Sequence, residues 1–416
     1  MAVSHDDKTI LRDLGKQIAE IAALPVHKEK ADLWRRLNGL EKVRPLVLIS
    51  ETPWPEMDVD GELALGCADS WCRQVERGLR RTLYQWRHMP ADMVVEPRLW
   101  CPLVIHDTGF GLEGEADVAS VECAGAITSR HFRPQITKPE DIKKIKMPEV
   151  THDAEASERR YQQMCEIFDD VIPVKQRGIS GCWFAPWDEL VTWWGVQEAL
   201  TDLALRPEMV HAAVARLVDA HLHRLRQWED LNLLALNNGN VGAGSGGPGY
   251  TDELPQPDFD PKHVRPIDLW GSATPQIFSE VSPEMHWEFA LKHEMRWLER
   301  FGLTYYGCCE PLHLKMGILR KIPNLRKVSM SPMADKAKGA EEIGADYVFS
   351  LKPNPAVLAW DRWNPDEARR TLREDLDKAR GCVVEVIMKD ISTVRHEPQR
   401  LWEWCEIAMQ EAENFA

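Results

Sequence analysis

No stretch of this 416-residue chain approaches the roughly 18 consecutive apolar residues that a membrane-crossing helix needs. Long basic runs are missing too, and the formal net charge is −15, so a broad phosphate-binding face for nucleic acid is not expected. The N-terminal MAVSHDDKTILRDLGKQIAEIAALP has charges interrupting its apolar residues. It lacks the continuous apolar core of a secretion signal and reads as an amphipathic helix. These absences point to a cytoplasmic protein that meets neither membrane nor nucleic acid. Ten cysteines without an export signal read as reduced thiols and not as a disulfide framework. Tyrosine is scarce, six against seventeen tryptophans, and large aromatics line apolar pockets as well as cores.

What is present is an alternation of short apolar runs with helical stretches. Two helical segments over 8–41 form an N-terminal extension (1–42), and RPLVLISE (44–51) reads as the first buried strand. Further strands are expected in DMVVEPRLW (92–100), VIPVKQRG (171–178), LNLLALNNGN (231–240), LTYYGCCE (303–310), LRKVSMSP (325–332), DYVFSLKPN (346–354) and CVVEVIMKD (382–390). KAKGAEEIG (336–344) and NPDEARRTLREDLDKAR (364–380) read as helices between them, with Asn364-Pro365 as cap and first-turn proline. Eight strands alternating with helices predict one α/β domain over 1–416, a (β/α)8 TIM barrel with its chemistry at the C-terminal ends of the strands. Segments 100–170, with GFGLEGEADVAS (109–120), and 240–283 exceed such a barrel and read as long insertions on that face.

Gly242, Gly244 and Gly247 formally spell G-x-G-x-x-G after a strand, but PGYTDELPQP follows where a dinucleotide site needs a helix. A flexible substrate-covering loop fits better, and Asn237, Asn238 and Asn240 at the strand exit offer amides to a ligand. In YYGCCEPLH (305–313), Cys308, Cys309, Glu310 and His313 bring together thiolate, carboxylate and imidazole, the donors of a catalytic zinc that leaves one position open. Two buried structural thiols are the alternative. Cys382 precedes its strand and is expected at the opposite end from Cys308, as a structural residue. His221, His223, His286 and His293 read as packing or surface residues. His106 sits in a loop on the substrate side, and Glu51, Glu96 and Arg98 end early strands, where they are placed to face the site.

These residues lie in a wider pattern. IDLWGSATPQIFSEVSPEMHWEFALKHEMRWLERFG (267–302), YYGCCEP, SLKPNPAVL (350–358) and KDISTVRHEPQRLWEW (389–404) resemble the uroporphyrinogen decarboxylase superfamily, which also holds zinc-dependent, corrinoid-linked methyltransferases. The resemblance covers roughly the last 150 residues. After the first strand, LISETPWPEMD (48–58) carries acids and aromatics where uroporphyrinogen decarboxylases are arginine-rich, so a tetra-acidic porphyrinogen would be repelled. The methyltransferase branch is the better likeness, because Cys308 matches the cysteine of its His-x-Cys-Gly. Tyr306 replaces that motif's histidine, and Asp390 or Ile391 replaces the branch's last cysteine.

The resemblance implies transfer of a methyl group between a small substrate or thiol and a corrinoid, with zinc at Cys308 and its neighbours. With no D-x-H-x-x-G carrier motif here, the corrinoid would come from a partner protein or free solution. Expected catalytic residues are Glu51, Glu96, Arg98 and Asp390. Trp54, Trp183, Trp187, Asn237, Asn238, Asn240, Trp270 and Tyr306 are expected to contact the substrate, and the tryptophans suggest a methoxylated aromatic. A homodimer is compatible with this reading. A metal-independent decarboxylase using Arg98 or Arg177, and a non-catalytic corrinoid or small-molecule binder, are the alternatives.

Overall fold

A computed structural model describes residues 3–118 and 130–415; the end of the 109–120 run lies outside the described residues. Among the described residues twelve strands form in chain order. They are β1 Leu46–Ile49, β2 Leu99–Pro102, β3 Ile105–Asp107, β4 Ala116–Val118, β5 Arg130–Phe132, β6 Val150–His152, β7 Val174–Arg177, β8 Trp270–Ala273, β9 Leu303–Tyr306, β10 Leu325–Met330, β11 Val348–Leu351 and β12 Val383–Met388. Six of them make one parallel sheet in the order β1-β12-β11-β10-β9-β8, so the first strand lies beside the last. Every residue of β12 is buried, as expected of a strand covered on both faces.

The crossovers that parallel pairing demands are the helical segments between the strands. Lys336–Ile343 joins β10 to β11 and Pro365–Lys378 joins β11 to β12. Asn364 caps the latter, its side chain accepting the Glu367 N–H, with Pro365 in the first turn as the sequence predicts. His5–Ala22 and Val26–Asn38 supply the expected N-terminal helices. None of the described helices is long and apolar enough to cross a membrane.

Between the sheet's edges, β1 and β8, the pairing is sparser than eight regular strands require. β2 pairs with β7 in parallel, the Asp92 N–H reaches Val47 O, Ile179 bridges Leu234, and Ser272 and Thr274 donate to Cys182 and Phe184. The expected strand 92–100 breaks at Pro97, which has no N–H to give. The expected strand 231–240 contributes only that single bridge, after Asn232 turns through φ 54°. Conversely, the segment assigned to an insertion, 240–283, contains β8. What is shown is an α/β fold built on a six-stranded parallel sheet.

The glycine-rich run does not cover the site loosely; Gly246 to Gly249 are buried against the sheet. A Cβ on Gly246 would stand 2.5 Å from Glu385 Oε1, and one on Gly247 2.3 Å from the Trp34 ring, so side chains are excluded by close approach. Polar groups from the strands receive this backbone. Glu385 accepts the Gly247 N–H at 3.2 Å, and the Lys352 ammonium donates to Ser245 O at 2.7 Å. Lys327 and Glu385, both fully buried, form an ion pair of 2.8 Å, and Ser350 donates to the other Glu385 oxygen at 2.6 Å. Burial lowers the Lys352 ammonium to about 8 despite Glu385 nearby.

Candidate active site

All six strands of the sheet point their C-terminal ends the same way, and the residues just past those ends converge. After β9, Gly307 takes φ 96°, a conformation that disfavours side chains, and the turn brings both following cysteines to one side. Their sulfurs are 3.6 Å apart. After β12, Lys389 sends its ammonium to 3.1 Å from Cys308 Sγ and 3.9 Å from Cys309 Sγ. Asp390, in the left-handed region at φ 56°, turns its carboxylate back to 3.0 Å from Lys389 and 3.4 Å from Cys309 Sγ. After β1, Glu51 accepts the Asp390 N–H at 2.9 Å and lies 3.8 Å from Lys389.

The electrostatics follow from these distances. A hydrogen bond from the Cys309 thiol, outweighing burial and aided by the Lys389 charge, lowers the Cys308 thiol to about 7. Cys309, which gives that hydrogen bond and sits beside the Cys308 charge, is pushed up and stays a thiol. Burial works against the charged form of Lys389, but the Cys308 thiolate overcomes it and holds the ammonium protonated. The site therefore pairs an acidified thiol with an ammonium, and a second thiol donates to the sulfur.

Beside this pair lies a cavity of ≈ 520 Å³. Lys389, Glu51, Glu96, Arg98, Asn240 and Ser245 supply polar parts of its wall, and Leu48, Ile49, Leu79, Met93 and Val95 much of its apolar part. The four expected catalytic residues are thus brought together. Glu51, Glu96 and Arg98 line the cavity, and Asp390 contacts its Lys389.

The expected zinc set is not assembled. Glu310 is buried with its carboxylate turned inward, accepting Thr274 Oγ1–H at 2.8 Å and the Cys308 N–H at 2.9 Å. His313, on the short Leu312–Leu314 turn, makes no hydrogen bond to either sulfur, and its Nδ1 is buried without a partner. Among the described residues no group of three or more His, Cys, Asp or Glu side chains is set to hold a metal ion. An ammonium already stands against both sulfurs. As placed, these residues do not fit a zinc ion.

Most of the expected substrate contacts are placed elsewhere. Trp187 and Trp270 are core residues, their indole N–H groups donating to Phe289 O and Gly249 O. Trp54 packs edge-on to Tyr84, and Trp183 is exposed. Asn237 ties Ser180 O and both the N–H and the C=O of Trp270 together, and Asn238 donates to Leu254 O, so these amides brace loops. Asn240 alone of the three lines the cavity, with its NH2 on Val94 O. Tyr306 is buried behind the site, its hydroxyl 2.7 Å from both His286 Nε2 and Glu294 Oε2. Burial raises that Glu294 carboxyl to about 8.

Of the histidines expected to pack or lie at the surface, His221 is buried against Glu189, Phe110 and Phe184, and His293 meets His211 at 3.1 Å. His106 is exposed on β3. Cys382 is buried just before β12, at the strand end away from Cys308, with its thiol on Ala340 O. Lys389 is the functional residue that sequence reasoning missed. The available signal was its place directly after VVEVIM, at the strand end level with Cys308.

No model of a known protein family matches this chain, and no curated protein matches it in sequence. Among solved structures, a methyltransferase from Methanosarcina mazei is similar with a TM-score of 0.50, over 92% of this chain and 97% of that chain, at 13% sequence identity. At that identity the likeness is one of fold: this chain shares the overall architecture of that methyltransferase.

Proposed function

We propose that this chain is a methyltransferase built on a (β/α)8-type barrel, in which the six-stranded sheet is completed by the segments joining its edges. The observation that carries the reading is the Cys308 thiolate held 3.1 Å from Lys389 at the strand ends, beside a cavity sized for a small molecule. The methyltransferase of similar fold supports it.

In the proposed step a methylated heteroatom, such as a methoxy oxygen, sits with its methyl carbon facing Cys308. A sulfur lone pair forms the S–CH3 bond as the O–CH3 bond breaks, and the bonding pair stays on oxygen. Cys308 thereby loses its charge, so Lys389 loses the partner that kept it protonated and can give its proton to the departing oxygen. Glu51 and Asp390, 3.8 and 3.0 Å from the Lys389 ammonium, hold it in place, and the amine takes its proton back from water. A second nucleophile must then take the methyl group and return the thiolate. A sulfur with a thiol value near 7 is a better leaving group than an ordinary cysteine. The family resemblance implies that a thiol, or a reduced corrinoid supplied by a partner protein or free solution, would fill this acceptor role.

The test is an assay of methoxylated small molecules for release of the demethylated product. Wild type is expected to release it and Cys308→Ser to release none. Equal release by both would remove Cys308 from the reaction.

A further inference from the structure

The cavity's polar groups are not equally provided for. Glu96 Oε2 accepts the Trp100 indole N–H at 2.9 Å, and Glu51 accepts from Asp390. Lys389 has Cys308 and Asp390, Gln85 donates to Ile49 O at 2.8 Å, and Thr82 donates to Gly78 O at 3.1 Å. Arg98 is different. Its Nε is buried with no hydrogen-bond partner, and the nearest carboxylate oxygen, Glu96 Oε1, is 3.9 Å away. None of its guanidinium N–H groups makes a hydrogen bond to another described residue. Buried donors in folded proteins are nearly always satisfied, so the unpartnered Nε, on a side chain 34% exposed in the cavity wall, marks the place of an acceptor supplied from outside. The Trp100 ring, 5.6 Å away, backs the guanidinium.

We infer that the substrate of this cavity is a small carboxylic acid with an apolar body, its carboxylate paired with Arg98. A planar five-donor fork matches a carboxylate in two parallel hydrogen bonds. The body of the molecule would lie along Leu48, Ile49, Leu79, Met93 and Val95, and its reacting end would face Lys389 in the wall, with the buried Cys308 sulfur 3.1 Å from that ammonium. The anion is singly charged: Glu51 and Glu96 share the cavity, and a phosphate dianion would meet both. This inference rests on the methyl-transfer reading for the identity of the reacting end, but the anchor itself does not depend on it.

The test is calorimetric titration of the full chain with 4-methoxybenzoate, its uncharged amide, a short branched-chain carboxylate and inorganic phosphate. It is run on wild type, Arg98→Met and Arg98→Lys. A carboxylate is expected to bind wild type about ten- to a hundredfold more tightly than its amide, the range of a charge-assisted hydrogen-bonded pair. Arg98→Met should bring acid and amide together without weakening the amide, and Arg98→Lys should restore part of the difference. Acid and amide binding alike, no carboxylate binding at all, or phosphate binding more tightly than the acids would each overturn the anchor. The two readings fail separately. A bound acid that never methylates Cys308 leaves the anchor standing and removes the transfer, whereas acid and amide that methylate it equally well do the reverse.

Discussion

Replacing Lys389 with methionine removes the one cation that, among the described residues, lies within hydrogen-bond distance of Cys308, and leaves a side chain of similar length. With the thiol at about 7, half of Cys308 is thiolate at pH 7; the Cys309 hydrogen bond, the larger cause, remains in the variant, so a full return to the ordinary 9, with about one part in a hundred ionised, is the upper bound of the effect. At that bound the thiolate population falls about 50-fold. A more basic thiolate is also a better nucleophile, and a Brønsted slope of about 0.4–0.5 returns roughly eightfold over two units. The net prediction is an alkylation of Cys308 slower by at most about sixfold at pH 7 and faster above pH 10, the two profiles crossing between. Iodoacetamide labelling followed by peptide mass spectrometry measures both limbs, and the ratio of variants cancels the limited access of a buried sulfur. Lys389→Arg keeps the charge and should keep the wild-type midpoint. A wild-type midpoint near 9, or a Lys389→Met profile that does not shift, would refute the ion-pair argument.

Three other perturbations test separate links. Glu294 titrates at about 8 in the fold against 4.5 unfolded, so between those values the folded chain holds the extra proton and unfolding becomes easier as pH rises. Glu294→Gln should flatten that fall, worth on the order of a few kcal/mol, in denaturation series from pH 4.5 to 8; a parallel slope would contradict it. Gly246→Ala places a methyl 2.5 Å from Glu385 and 2.7 Å from the Tyr305 ring and should destabilise by about 1–3 kcal/mol or more in urea, whereas Gly317→Ala, with open space around its Cβ, should be close to neutral. Elemental analysis of anaerobically purified protein should find no stoichiometric zinc. About one zinc per chain, lost in both Cys308→Ser and Cys309→Ser, would overturn the metal-free account.

Much of the sheet was legible because its strands are short apolar runs buried on both faces, and a run such as VVEVIM carries that signal within six residues. The irregular half was harder. Between β1 and β8 the chain is held by scattered hydrogen bonds and a two-stranded ladder, and neither leaves a periodic trace. In the site, Cys308 was legible from its place at a strand end. Its partner was not, because Lys389 lies 81 residues further on and a lysine beside an aspartate reads as a solvated pair. The charged residues inside apolar strands, Lys327 and Glu385, were an overlooked signal: buried charges require partners, and these two found each other and the glycine backbone. Composition misdirected the tryptophans, since abundance says nothing about which face of the core a ring packs on. Trp187 and Trp270 went to packing, and the apolar wall of the cavity is aliphatic.

The account turns on Cys308 receiving a methyl group. The direct measurement is peptide mass spectrometry of the full chain after a single turnover with a methoxylated carboxylic acid and no second acceptor. The account predicts one methyl in place of one proton on Cys308, absent in Cys308→Ser and greatly reduced in Lys389→Met. Product formation with Cys308 unmodified, or a methyl group on Cys309 instead, would contradict it.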